Sequence, residues 1–112
     1  MKLFGTAIVN NDDSYAQRIS NKDFRLLCMG IVLREKVFFD NIVDDDLRKL
    51  GKGILYNSTT WMNNVSNVDL KNFGLGIVLN DISYIERISI TDLKLLGRGI
   101  VYRDISYFNR MQ

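Results

Sequence analysis

Histidine is absent from this 112-residue chain, and cysteine occurs once, as Cys28. Without an imidazole there is no Ser-His or Cys-His nucleophile pair, no general base of the commonest kind and no His ligand for a transition metal. A single Cys between Leu27 and Met29 excludes an intramolecular disulfide and a Cys-cluster zinc site, and it reads as a small buried thiol suited to a reducing compartment. Asp44, Asp45 and Asp46 are the densest carboxylate run. Three consecutive acids cannot all face one cation, and no Gly-spaced calcium loop surrounds them, so they are expected to form a solvated turn. The elements Gly51-Lys-Gly53, Gly74-Leu-Gly76 and Gly97-Arg-Gly99 lack the strand before and the Lys-Ser/Thr after that a phosphate loop uses. The expectation is therefore no enzyme, no metal and no cofactor.

Two residue sets are suited to binding rather than reaction. Lys2, Arg25, Arg48, Lys71 and Lys94 recur at a fixed spacing, as a reader of phosphates or of an anionic lipid surface requires. All but the first follow an Asp by two residues (Asp23, Asp46, Asp69, Asp92), so the two series are expected to neutralise each other along a solvated edge. Arg18, Arg87 and Arg110 form a second, broken basic series. The aromatic series Tyr15, Phe38, Trp61, Tyr84 and Tyr107 could stack nucleobases, but in a repeat protein an unbroken aromatic column is expected to be core. If these residues lie on strands, the residues that follow them face the other way. Phe39, Met62, Ile85 and Phe108 then form an apolar patch, the expected partner surface.

What positions these series is a 23-residue period that runs the length of the chain without insertion or deletion. Ile8, Ile31, Ile54, Ile77 and Ile100 occupy one column, and Ile19, Ile42, Val65, Ile88 and Met111 another. The units are approximately 1–22, 23–45, 46–68, 69–91 and 92–112, one repeat domain with no room for a separate catalytic one. After each small-residue pair comes an aliphatic run, then turn formers, then the aromatic, as in Gly76-Ile-Val-Leu79, Asn80-Asp81, Ser83-Tyr84. That order predicts a β-hairpin in each unit. Leu70, Phe73, Gly74, Ile77 and Val78 also follow the i, i+3, i+4, i+7, i+8 spacing of a helix, and Ser20, Ser66 and Ser89 each precede an Asp by three residues as in a capping box. Two glycines within one short helix would cost about 1 kcal/mol each. The expected fold is an all-β repeat protein of five tandem hairpin or β-solenoid units, with a short-helix α-solenoid as the alternative.

The segments Asp69 to Ile77 and Asp92 to Ile100, read as Asp-Leu-Lys-x-Phe/Leu-Gly-x-Gly-Ile, resemble the Asn-Gly-Lys-x-His-Gly-x-Gly-Val stretch of MORN repeats, which share the 23-residue length. The downstream Tyr84 and Ile88 are similar to that family's Tyr-x-Gly-x-Trp strand, although Glu86 stands where the family places Gly. The resemblance implies a degenerate MORN-like repeat that scaffolds, recruits partners or sits on phospholipid without activity of its own.

With 46% hydrophobic residues the chain is expected to fold, and a net charge of +2 is too small to argue for nucleic acid or membrane. No signal segment opens it, and stretches such as Leu75 to Leu79 fall far short of the roughly 20 apolar residues of a membrane span, so a soluble cytoplasmic protein is expected. The functional expectation is a non-catalytic protein-binding or scaffolding module, a class that includes small inhibitors and anti-defence proteins acting by occlusion. The alternative is binding of anionic phospholipid or nucleic acid through Arg25, Arg48, Lys71 and Lys94. Because a terminal repeat exposes the face its neighbour would bury, a homodimer through Tyr107, Phe108 and Met111 is also expected.

Overall fold

The computed structural model describes residues 1–111, and among them every regular element is helical. Each period holds a long and a short helix: α1 (Lys2–Asn10) with α2 (Asp13–Ala16), α3 (Lys22–Leu33) with α4 (Val37–Asp40), α5 (Asp45–Tyr56) with α6 (Thr59–Asn63), and α7 (Val68–Leu79) with α8 (Ile82–Glu86). The fifth period pairs α9 (Thr91–Tyr102) with a 3-10 helix, Ile105–Arg110.

The all-β expectation is thus overturned, and with it the hairpin architecture that the MORN resemblance implies. The side chains of Asn21, Asp44 and Asn67 accept the N–H of Phe24, Leu47 and Leu70, starting the long helices one residue later than the expected capping boxes. Each long helix stops at a residue in the left-handed conformation, Asn11, Arg34, Asn57, Asn80 and Arg103, with φ between 51 and 57°. The chain then reverses into the short helix, where Asp12, Asp81 and Asp104 accept the N–H of Ser14, Ser83 and Ser106. The turn formers were legible, but they join two helices rather than two strands.

The glycines that argued against helices are what lets the helices approach one another. A Cβ on Gly30 or Gly51 would collide with the Phe39 ring, and one on Gly53 or Gly74 with Met62. The same holds for Gly76 and Gly97 against Ile85, and for Gly99 and Gly5 against Phe108. Each knob lies on a short helix and enters the crevice between its own long helix and the next. The first junction uses the inverse solution: its knob is Ala16, fully buried, and the equivalent hole positions carry the larger Ala7 and Cys28.

This wedging runs in a circle. Helix α1 packs on α3, α3 on α5, α5 on α7, α7 on α9, and α9 returns to α1, while the 3-10 helix also rests on α1. The result is a disc of 31 × 30 × 20 Å, in which short helices repeat as in the alternative expectation but the array closes on itself. Phe4, Leu27, Leu50, Phe73 and Leu96 form the buried layer around its axis. Arg103 Nη2 donates to the Val9 carbonyl at 3.1 Å across the closing junction, as Arg34 Nη2 does to the Leu55 carbonyl at 3.4 Å within the ring.

Candidate functional site

The residues expected to form a partner surface are interior. Phe39, Met62 and Ile85 are 0% exposed and Phe108 1%, so this expectation is corrected: they are the knobs between helices and offer no surface. The expectation that the aromatic series forms the core fails for the same reason. Tyr15, Phe38, Trp61, Tyr84 and Tyr107 are half-buried on the short helices. Cations cover three of them, with Lys52 Nζ 5.3 Å from the Trp61 ring centre, and the Arg87 and Arg110 guanidiniums 4.8 and 4.9 Å from Tyr84 and Tyr107. Adjacent residues on a helix differ by about 100°, not 180°, so the aromatic residue stays half-buried at the edge of the face on which its successor is fully buried.

Five members of the basic and acidic series, Arg25, Arg48, Asp23, Asp46 and Asp69, bond to backbone or side-chain groups of the linkers between repeats. Arg25 Nη1 donates to the Ile19 carbonyl at 2.9 Å, and Arg48 Nη1 to the Ile42 carbonyl at 3.1 Å, each tying a long helix to the linker before it. Lys71 and Lys94 occupy the same register and are half-buried. The acids reach the other way. Asp23 accepts the N–H groups of Val43 and Asp44, Asp46 those of Ser66 and Asn67, and Asp69 that of Ser89 with the Ser89 hydroxyl at 2.6 Å. The Ser66 and Asn67 N–H groups hold Asp46 below the usual carboxylate range, and the Ser89 hydroxyl and N–H do the same for Asp69. Asp23, Asp46 and Asp69 are therefore satisfied by these N–H and hydroxyl donors, and Arg25 and Arg48 by carbonyls, rather than by one another. Within the run of three acids, Asp44 caps α5 and Asp45 pairs with Lys49 at 2.8 Å and Arg48 at 3.1 Å.

The remaining expected residues are also placed. Met111 is half-buried against the core, and Tyr107 lies 5.8 Å from the Tyr102 ring; with Phe108 wedged between α9 and α1, the fifth repeat's face is covered by the first. The uncovered face that motivated a homodimer through Tyr107, Phe108 and Met111 does not exist in this fold. Cys28 is buried, and burial pushes its thiol up to about 12, so it is chemically quiet. No group of potential metal ligands occurs among the described residues.

What sequence reasoning missed lies at the end of the disc where the long helices finish. The Ile column encircles the axis there. Ile8, Ile31, Ile54, Ile77 and Ile100 line a pit of about 120 Å³ with Phe4, one turn deeper, and Arg103. A second hollow of about 130 Å³, lined by Ile77, Asn80, Ile100, Val101 and Arg103, adjoins it. In the last turns of the same helices Leu33, Tyr56, Leu79 and Tyr102 are 40, 50, 47 and 52% exposed, while the first repeat carries Asn10. Each follows its Ile by two residues, about 200° around the helix, so these side chains face outward from the axis. The Ile spacing was visible in the sequence, but only a closed ring turns a column into a pit. No helix among the described residues is long and apolar enough to cross a membrane.

Comparison with protein-family models, with curated proteins and with solved structures gave no match.

Proposed function

We propose that this chain is a non-catalytic binding module that recognises another protein with the end of the disc where its long helices finish. The observation that carries the reading is the exposure of Leu33, Tyr56, Leu79 and Tyr102 there, in four successive repeats, where the first repeat carries Asn10. Large apolar and aromatic side chains on a rigid scaffold are the usual anchors of protein interfaces. The rest of the molecule supports a binding role: Arg25, Arg48, Asp23, Asp46 and Asp69 are bonded within the fold, and its one thiol is buried. Action by occlusion, as in a small inhibitor or anti-defence protein working in the cytoplasm, fits a rigid disc of this size. The reading through anionic lipid or nucleic acid is disfavoured because Arg25 and Arg48 are committed to backbone carbonyls. The test is affinity capture from the native cell with the wild-type chain and with Leu33→Asp/Tyr56→Asp/Leu79→Asp. A partner retained by the first and lost by the second, at unchanged helicity, supports the reading; equal capture by both removes it.

A further inference from the structure

The axial pit is separate from that outer surface and has its own chemistry. Its wall is aliphatic in every repeat, with Phe4 deeper in, and its volume of about 120 Å³, open to solvent on one side, is enough for a short aliphatic group. Ile8, Ile31, Ile54 and Ile77 remain partly exposed to it, so the five side chains do not fill the axis. Water gains little in such a space, and an aliphatic group displaces it favourably.

Arg103 decides what accompanies the aliphatic group. It lines both the pit and the adjoining hollow, and it donates one hydrogen bond, from Nη2 to the Val9 carbonyl. No carboxylate forms an ion pair with it among the described residues; the nearby Asp104 is turned to the Ser106 N–H and Asp81 to Ser83. A guanidinium has five N–H donors in a planar fork suited to a carboxylate. The helices present their negative dipole ends here, which suits the Arg103 guanidinium and works against any anion that does not sit directly on it. Asn80, shorter than the Arg at the equivalent positions 34 and 103, leaves room beside Arg103 for a bound head group.

We propose that the pit binds a short aliphatic group carried next to a carboxylate, with the hydrocarbon among the five Ile side chains and the carboxylate on Arg103. That chemistry has two sources, a free aliphatic acid and the C-terminal Leu or Ile of a peptide. The test follows the Ile methyl signals by NMR while titrating 4-methylpentanoate, its primary amide, and a short peptide ending in Leu with a free carboxylate. Saturable shifts confined to the Ile column are expected at about millimolar concentrations, with the amide roughly tenfold weaker than the acid. Arg103→Gln should abolish the preference for acid over amide. Arg34→Gln, which loses an equivalent bond to the Leu55 carbonyl but does not line the pit, should preserve it. Ile54→Phe, checked for unchanged thermal unfolding, should fill the pit and block every probe. Tighter binding of the peptide than of the free acid assigns the source to a chain terminus, and the reverse assigns it to a free acid. Equal binding of acid and amide, unmoved Ile methyls with every carboxylate probe, or undiminished binding to Ile54→Phe would overturn the proposal.

Discussion

The knobs of the short helices fill the space that the missing glycine side chains leave. Gly30 faces the edge of the rigid Phe39 ring, whereas Gly53 faces the terminal methyl of Met62, which has rotamers to spare. Gly30→Ala gains about 1 kcal/mol of helix propensity but overpacks a ring that cannot fold away, a cost of about 1–3 kcal/mol. It is expected to lower stability in a urea titration, and Gly53→Ala to lower it less. Because Ala16 beside Ala7 is a working native junction, Gly30→Ala with Phe39→Ala should be less destabilised than the sum of the single variants; strict additivity would mean the ring and the glycine do not compete for space. Asn57, with φ 53° after α5, gives a second expectation: Asn57→Ala should cost about 1 kcal/mol and Asn57→Gly almost nothing. These columns were legible in the sequence as small residues. Their partners were not, because strand alternation assigned the knobs to the surface.

Among the elements, the sequence showed the helical spacing of Leu70, Phe73, Gly74, Ile77 and Val78 as clearly as it showed the turn formers, but the helix penalty of the glycines was weighed without the close packing that offsets it. The acidic and basic series were equally visible, and their direction was not: Arg25 and Arg48 bond to the linker before them, and Asp23, Asp46 and Asp69 to the linker after. These acid bonds give stability a defined pH dependence. Asp46 and Asp69 titrate below the usual carboxylate range in the folded state, so the stability they add is complete above about pH 4, the unfolded carboxylate value, and is lost as pH falls through their depressed values. Thermal unfolding of the wild type should therefore drop below about pH 4, and Asp46→Asn/Asp69→Asn should show a shallower drop from a lower plateau. Parallel curves for the two proteins would show that the bonds between repeats contribute nothing.

At the scale of the whole molecule, the return of the fifth repeat to the first decides the architecture. The period and its five copies were readable from the sequence, but closure was not. It depends on the angle between successive helices, which knob and hole sizes set jointly and which no single column encodes. Closure makes the pit, removes the face on which a homodimer was expected, and puts Phe108 against both Gly99 and Gly5. The measurement that reaches this claim most directly is the nuclear Overhauser effect from the Phe108 ring protons in a selectively labelled chain, recorded over a dilution series. The closed ring predicts strong, concentration-independent effects to the α-protons of both Gly99 and Gly5. Effects to Gly99 alone, or effects to Gly5 that disappear on dilution, would show an open array whose ends meet only between molecules.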